Sequence, residues 1–241
     1  MTGTRSNGSI FDPIEDAIAA IARGEIVVVA DDEDRENEGD LIMAADAASP
    51  EKIAFFVRHT SGVICVGLTG ERCAELDLPL MVQSSANNEA QGTAFTVTVD
   101  LREGTSTGIS AADRARTLRA LADSTVGAAA FNRPGHIFPL RARPGGVLKR
   151  AGHTEASVDL ARLAGRAPAG VLCEVVLDNG GMARVPDLRA FADEHGLLLV
   201  SIADLIRFRR RTEKLITRAS AARLPTEWGE FRCYAFDTTV E

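Results

Sequence analysis

Residues 12–30 of the chain read DPIEDAIAAIARGEIVVVA, which contains the signals for a helix followed by a strand. Asp12 is predicted as the helix N-cap, Pro13 lies in the first turn, and Glu15 completes a capping box. Apolar residues then recur at helical spacing until Gly24. The uninterrupted apolar run at residues 26–30 is typical of a fully buried strand. This stretch therefore predicts a helix and a strand at the centre of a covered sheet.

The alternation of helices and strands continues along the chain. Further strands are predicted at residues 41–45, 63–68, 94–99, 171–177 and 197–202. Further helices are predicted to begin near Ser49, Thr69, Ser110, Thr154, Asp187 and Ala203. Residues 136–140 contain Pro139 and are predicted as an edge strand or an irregular one, because proline cannot donate a ladder hydrogen bond. The whole pattern predicts an α+β fold, a three-layer α/β/α sandwich around a mixed, mostly buried β-sheet.

The composition is that of a globular protein. The 241 residues are 45% hydrophobic and 25% charged, which is sufficient for a core without disulfides or metals. The apolar runs are too short to cross a bilayer, and residues 1–8 lack the apolar core of a secretory signal. The four cysteines are scattered and show no C-x-x-C spacing. We therefore expect a cytoplasmic protein with reduced thiols, no structural zinc and no membrane span.

The charge balance bears on the partners of the protein. The formal net charge is -7 and the pI is about 5.2, whereas a protein that binds a nucleic-acid backbone needs a dominant basic face. The arginines within residues 207–211 are explained more simply as the exposed rim of a helix. We expect no nucleic-acid partner.

The strongest chemical signal is the acidic segment 31–40, DDEDRENEGD, in which seven of ten side chains are carboxylates. If the segment is extended, alternate residues share one side, and a hard divalent cation with oxygen ligands best relieves their repulsion. An EF-hand is excluded, because counting from Asp34 places Ala45 at the twelfth position, where a bidentate Glu is required. A solvated acidic loop explains the charge equally well.

A second polar segment, RAGHTE at residues 150–155, precedes an amphipathic helix. Free N–H groups at a helix N-terminus, together with Arg150 and Thr154, suit a phosphate monoester. His153 is a candidate metal ligand as a neutral imidazole. Alternatively, Thr154 is an ordinary N-cap and His153 is exposed.

Three further residues are candidates for the site. Glu174 interrupts an apolar strand, where a buried carboxylate is costly unless it is paired or has a shifted pKa; the alternative is a position facing the surface. His136 follows Pro134-Gly135 and is equally explained as an acid/base or a structural histidine. Cys65 is most simply a small core residue. The polar stretch 83–92 is expected to act as a lid.

Four motifs resemble 3,4-dihydroxy-2-butanone 4-phosphate synthases in content and order: DDEDRENEGD at 31–40, GISAADR at 108–114, RPGH at 133–136 and RAGHTE at 150–155. The resemblance implies a three-layer sandwich and a homodimer with its sites near the subunit interface. It implies two magnesium ions per site, with manganese as a substitute. The implied reaction converts a small sugar phosphate, ribulose 5-phosphate, into formate and 3,4-dihydroxy-2-butanone 4-phosphate for riboflavin biosynthesis.

The resemblance also implies roles for individual residues. Glu36 and His153 match metal ligands. The catalytic candidates are Asp40, which we expect to remove the first proton, and His136, Glu174 and Cys65. The phosphate is expected at Arg150 and Thr154. The full set of expected substrate contacts is Arg35, Glu36, Glu38, Asp40, Thr107, Arg150, Gly152, His153 and Thr154.

The last residues carry a different resemblance. Residues 222–232, ARLPTEWGEFR, resemble the beginning of a GTP cyclohydrolase II domain. We therefore expect a synthase domain at residues 1–211, and a linker with a truncated start of a cyclohydrolase-like segment at residues 212–241. The chain ends before the zinc-binding cysteines of such a domain, so no cyclohydrolase activity is expected.

Two other classes of function remain open on the residues alone. A non-catalytic module that binds a nucleotide or a phosphorylated sugar would have no need for Glu174 within a strand. A magnesium phosphohydrolase or phosphotransferase would use the acidic loop, although its nucleotide-dependent form lacks a Walker-type glycine-lysine motif here.

Overall fold

The computed structural model of the chain describes residues 9–238 and 240. The expectation that the N-terminus lacks a secretory signal concerns residues 1–8, which lie outside the described residues. The outer ends of the two expected domains lie outside them as well.

Helices and strands alternate as the sequence predicts. The helices are α1 Ile14–Ala22, α2 Pro50–His59, α3 Gly70–Glu75, α4 Ala111–Ala122, α5 His153–Leu163, α6 Val185–His195 and α7 Ile202–Thr212. The strands are β1 Val27–Ala30, β2 Gly39–Ala44, β3 Cys65–Leu68, β4 Val99–Leu101, β5 Phe131–Arg141, β6 Ala169–Glu174, β7 Leu198–Ser201, β8 Ile216–Thr226 and β9 Gly229–Thr238.

Strands β1 to β7 form one mixed sheet in the order β4-β5-β3-β6-β2-β1-β7. The pairs β1/β7 and β3/β5 are parallel, and the other neighbours are antiparallel. Val27 and Val29 belong to an apolar cluster shared with α1, α5 and α7, whereas Val28 and Ala30 belong to a second cluster shared with α2, α4 and α6. Because successive side chains of a strand point to opposite faces, the helices cover both faces of the sheet. The predicted three-layer sandwich is confirmed.

Helix α5 lies directly against the centre of the sheet. A Cβ atom on Gly170 of β6 would lie 2.5 Å from the backbone of Ser157, and one on Gly67 of β3 would lie 2.5 Å from its Oγ. Glycine at these two positions therefore allows the close approach that places the first turn of α5 at the end of the sheet.

Two predicted details at the start of the chain are wrong. The Asp12 side chain does not cap α1; its Oδ2 instead accepts hydrogen bonds from Leu199 N and Arg189 Nη1, both at 2.8 Å. Asp12 thus attaches the start of α1 to β7. Strand β2 begins at Gly39 rather than at residue 41, so Asp40 lies in the sheet and not in the acidic loop.

For residues 136–140 the edge-strand alternative is wrong, because β5 pairs with β3 on one side and with β4 on the other. The irregular alternative is confirmed, because the register between β4 and β5 shifts: Val99 pairs with Ile137, but Asp100 pairs with Asn132. The carbonyl of Pro139 accepts from Thr96 N at 3.0 Å. The N–H and C=O groups of one strand residue point to the same side, so the N–H that Pro139 lacks would face residues 94–97. Its absence therefore removes no hydrogen bond between β5 and β3. Residues 95 and 96 form only isolated bridges, and the predicted strand 94–99 overlaps an observed strand only at Val99, where β4 begins. Strand β6 ends at Glu174, three residues earlier than predicted.

Strands β8 and β9 form a separate two-stranded hairpin whose residues are all exposed. The boundary between the two expected domains stays a prediction. Within residues 9–238, no helix combines the length and the apolar character needed to span a membrane.

Candidate active site

One end of the sheet, on the face covered by α5, gathers most of the predicted site residues. Asp40 at the start of β2 is the cross-strand partner of Glu174 at the end of β6. Cys65 begins β3, and His153 begins α5. A cavity of about 210 Å³ lies here, and eight of the predicted residues line it: Arg35, Glu36, Asp40, Cys65, Arg150, His153, Thr154 and Glu174.

The acidic loop is organised by Asp31, which the sequence analysis did not single out. Its Oδ2 accepts from Arg35 Nη1 at 2.7 Å and from Glu36 N at 3.2 Å, and its Oδ1 accepts from Glu38 N at 2.9 Å. Arg35 Nη1 also donates to Glu36 Oε2 at 2.6 Å. These bonds turn Glu36 toward the cavity, while Asp32, Glu33 and Asp34 are exposed. Residues 33–36 form a turn, so the expected extended arrangement with alternate carboxylates on one side is wrong. The solvated-loop interpretation is confirmed for residues 32–34, and the cation interpretation stays a prediction for the carboxylates that face the cavity.

His153 is only 6% exposed, so the alternative in which it projects into solvent is wrong. Helix α5 has Gly152, not Thr154, at its N-cap position. His153 Nε2 lies 3.0 Å from Val29 O, to which it donates, so Nδ1 faces the carboxylates. Nδ1 lies 3.6 Å from Asp40 Oδ1 and 3.8 Å from Glu36 Oε2. Burial lowers the pKa of His153, but the charges of Asp40 and the loop carboxylates outweigh this effect and raise it to about 9.

Asp40 is 2% exposed, and within the described part of the chain its Oδ1 has no hydrogen-bond partner. Burial, together with the nearby charges of Glu174, Glu36 and Glu38, raises the pKa of Asp40 to about 8, against the opposing influence of His153. A buried carboxylate oxygen without a partner is costly, so this atom is available to a ligand.

The residues around Asp40 suit a divalent cation. Asp31, Glu36 and His153 each offer a ligand atom, and these atoms lie within 4.8 Å of one another. Carboxylate oxygens and one imidazole nitrogen suit a hard or borderline ion such as Mg²⁺ or Mn²⁺. A cation would compete with the proton on His153 Nδ1 and would also neutralise the crowded carboxylates. Asp31 already accepts three hydrogen bonds, so we interpret it mainly as the residue that orients Glu36.

The N-terminus of α5 forms the opposite wall. Gly152 gives this helix end no side-chain cap, so first-turn N–H groups remain available beside Thr154. Arg150 Nη1 donates to the buried Glu155 Oε2 at 2.7 Å, and its Nη2 donates to Thr93 Oγ1 at 3.0 Å. A Cβ on Gly152 would lie 2.2 Å from Arg150 Nη1. Gly152 therefore makes room for Arg150, and Glu155 is a supporting residue that the sequence analysis quoted without a role.

Four predicted residues do not line this cavity: Glu38, Thr107, His136 and Gly152. Glu38 lies outside the cavity, 4.0 Å from Arg184. Burial, and to a lesser extent the charge of Glu36, raises the pKa of Glu38.

Cys65 does line the cavity. Burial raises the pKa of the Cys65 thiol well above the usual value, so this residue is a neutral thiol.

His136 belongs to a second polar group, together with Asp100, which sequence reasoning missed. Asp100 Oδ1 accepts from His136 N at 2.9 Å, and Oδ2 lies 2.6 Å from His136 Nδ1. A Cβ on Gly108 would lie 2.0 Å from Asp100 Oδ2, so Gly108, the chain neighbour of the exposed Thr107, lies against this pair. With Nδ1 bonded to the carboxylate, Nε2 is the nitrogen available for proton transfer. The RPGH motif indicated His136 but gave no sign of its partner.

The sequence and the fold are both similar to those of known proteins. Residues 15–208 match a family described as 3,4-dihydroxy-2-butanone 4-phosphate synthase. The bifunctional riboflavin biosynthesis protein RIBA 1 of Arabidopsis thaliana is 58% identical over 231 residues, which are 96% of this chain and 42% of that protein. The riboflavin biosynthesis protein RibBA of Salinispora arenicola is 59% identical over 94% of this chain and 53% of its own length. The chain thus spans about half the length of these curated relatives.

Solved structures show the same fold. A 3,4-dihydroxy-2-butanone 4-phosphate synthase in complex with two magnesium ions matches with a TM-score of 0.80 and 48% identity, over 84% of this chain and 98% of that one. RibBX of A. baumannii, a two-domain synthase, matches with a TM-score of 0.87 and 46% identity, over 94% of this chain and 66% of that one.

Proposed function

The chain belongs to the 3,4-dihydroxy-2-butanone 4-phosphate synthase family, and we propose that it converts D-ribulose 5-phosphate into L-3,4-dihydroxy-2-butanone 4-phosphate and formate in riboflavin biosynthesis. The observation that carries the proposal is the buried Asp40 carboxylate: its Oδ1 has no hydrogen-bond partner among the described residues and lies 3.6 Å from His153 Nδ1, and Glu174 is its cross-strand partner. A lyase that breaks a carbon–carbon bond through an enediol needs such a base beside a centre that stabilises negative charge.

The cavity can orient an extended sugar phosphate. The phosphate is placed at the α5 N-terminus, where Thr154, Arg150 and backbone N–H groups are close together. Arg150 is held by Glu155 and also bonds to Gln91 O and Thr93, so the loop that contains residues 83–92 contacts the same guanidinium. The substrate's other end then reaches Asp40 and Glu174 across the floor of the cavity.

We propose magnesium as the cofactor, with two ions per site and with manganese as a substitute; a related synthase was solved in complex with two magnesium ions. Glu36 and His153 would be ligands, and Asp31 would orient Glu36. When bound, magnesium supplies Lewis-acid stabilisation of negative charge on the substrate oxygens.

The protein residues divide the proton transfers. Asp40, which is buried and has a raised pKa, removes the first proton from the substrate. Glu174, its cross-strand partner, carries out later proton transfers. Asp100 holds the His136 ring so that Nε2 exchanges protons. Cys65, as a neutral thiol, lines the cavity and excludes water.

We also propose a homodimer. His136 and Thr107 lie outside the cavity of their own chain, so a second copy is able to bring these residues to the site. A cytoplasmic location remains part of the proposal; the Arabidopsis relative is named as chloroplastic.

The test is incubation of the protein with ribulose 5-phosphate and magnesium, with formate, inorganic phosphate and the four-carbon product measured with and without a chelator. We expect formate and the four-carbon phosphate in equal amounts, and neither product with the chelator. Inorganic phosphate alone would indicate a phosphohydrolase, and binding without turnover would indicate a regulatory module.

A further inference from the structure

The loop between α2 and β3 holds Glu174 through a single residue, Ser61. Ser61 N donates to Glu174 O at 2.9 Å, and Ser61 Oγ donates to Glu174 Oε2 at 2.7 Å. Backbone and carboxylate of Glu174 are thus held at once. We propose that Ser61 is a positioning residue that orients the Glu174 carboxylate for proton transfer, an inference that rests on the proposed function.

The surroundings of the hydroxyl direct its hydrogen to Glu174. Val63 N donates to Ser61 Oγ at 3.4 Å, which uses an acceptor site of the oxygen. Cys173 Sγ lies 3.3 Å from the same oxygen, but it donates its own hydrogen to Val63 O at 3.3 Å. Burial raises the pKa of Cys173 to about 11, so the sulfur is a neutral thiol and a weaker acceptor than the carboxylate.

The loop that carries Ser61 is itself anchored. Thr60 Oγ1 donates to Phe56 O at 2.6 Å and accepts from Gly62 N at 3.3 Å. Thr60 also forms a β-bridge with Val175, the residue after Glu174. Ser61 is therefore fixed relative to the end of β6, as a residue that positions a catalytic group must be.

The hydrogen bond opposes a repulsion that the sheet creates. Glu174 is the cross-strand partner of Asp40, and like charges directly opposite each other in a sheet repel whenever Asp40 loses its proton. Without an attachment, the less buried Glu174 would turn toward solvent. The bond occupies Oε2, while Oε1 receives no hydrogen bond within residues 9–238 and remains free to act in the cavity.

Ser61 does not line the cavity, so its effect on the reaction passes through Glu174. This predicts a change in turnover with little change in substrate binding. It also predicts that the hydroxyl matters only while residue 174 is a carboxylate.

The experiment compares four variants of the full chain: Ser61→Ala, Ser61→Thr, Glu174→Gln and the double variant Ser61→Ala with Glu174→Gln. Thr125→Ala is the matched control, because Thr125 Oγ1 donates to the exposed Asp123 Oδ1 at the same 2.7 Å, outside the site. Steady-state formate release gives kcat and KM for each variant, and thermal unfolding shows whether each one folds.

We expect kcat of Ser61→Ala to fall about tenfold or more with KM changed less than about twofold, since hydrogen bonds to charged groups are the stronger ones. Ser61→Thr should retain most of the turnover, and Thr125→Ala all of it. The double variant should be no slower than Glu174→Gln alone. Equal kcat in Ser61→Ala and wild type, or a full further loss in the double variant, would overturn the positioning role. A wild-type protein that releases no formate would instead refute the proposed function and the inference together.

Discussion

Asp40 and Glu174 lie directly opposite each other on the antiparallel strands β2 and β6, with both side chains on the face covered by α5. Partners in such a pair have Cβ atoms about 5 Å apart, close enough for two carboxylates to act on one bound substrate.

The two carboxylates are expected to act at different steps. Asp40→Asn should abolish exchange of the substrate's carbon-bound proton with deuterated water, because it removes the first base. Glu174→Gln should retain that exchange and lose formate release by about a hundredfold or more, the usual contribution of an acid/base group. Nuclear magnetic resonance of the substrate in deuterated buffer measures both quantities. Exchange that survives in Asp40→Asn but not in Glu174→Gln would reverse the assignment.

Metal binding should depend on Glu36 in particular and not on the general charge of its loop. Glu36→Gln is expected to raise the magnesium concentration for half-maximal activity about tenfold or more, because one ligand is lost. Glu33→Gln removes the same charge from an exposed position of the same loop and should change this magnesium concentration little. Titration with Mn²⁺, followed by electron paramagnetic resonance, measures the affinity directly. Equal weakening in both variants would point to diffuse electrostatic attraction.

The contact between α5 and the sheet should be intolerant of a methyl group. Gly170→Ala is expected to lower the free energy of unfolding by about 1–3 kcal/mol, because its Cβ would overlap the Ser157 backbone. Gly127→Ala is the control, since among the described residues no atom beyond its chain neighbours lies within 4 Å of the added Cβ, and its φ of -97° suits alanine. Urea denaturation monitored by circular dichroism gives both values. A Gly170→Ala protein as stable as the control would show that α5 shifts without cost.

The end of α7 should make stability sensitive to acid. The hydrogen bond with Arg209 lowers the pKa of Glu213 from 4.5 to about 2, and Arg209 also binds the buried Asp159 at 2.7 Å. A lowered folded-state pKa stabilises the native protein fully above pH 4.5, and this stabilisation disappears as the pH falls through about 2. Glu213→Gln should therefore cost about 1 kcal/mol at pH 7, less than the pKa shift alone implies because solvent screens this partly exposed ion pair, and progressively less between pH 4.5 and 2. Urea unfolding of both proteins across this range tests the prediction, which a constant difference would contradict.

The sequence by itself determined the layered fold and predicted most of the side chains that line the candidate site. Apolar periodicity depends on neighbours within a few residues, so the buried run at residues 26–30 and the amphipathic helices could be identified locally. The motifs that contain Glu36, Asp40, Arg150 and His153 mark functional groups by residue type and spacing, and the structure brings these side chains to one cavity.

Only the tertiary structure decided which partners support those groups. Ser61 is 113 residues from Glu174, and Asp100 is 36 residues from His136, so no local pattern joins either pair. Pro139 led to the prediction of an edge strand, but its missing N–H would face residues 94–97 and not β3, so β5 still pairs with β3. Which neighbour a strand residue faces depends on the order of strands in the sheet, which no local pattern shows. Hydrogen bonds and burial arise between segments that are distant in the chain. Periodicity therefore predicts helices and strands, but the chemistry of each side chain depends on which elements become its neighbours.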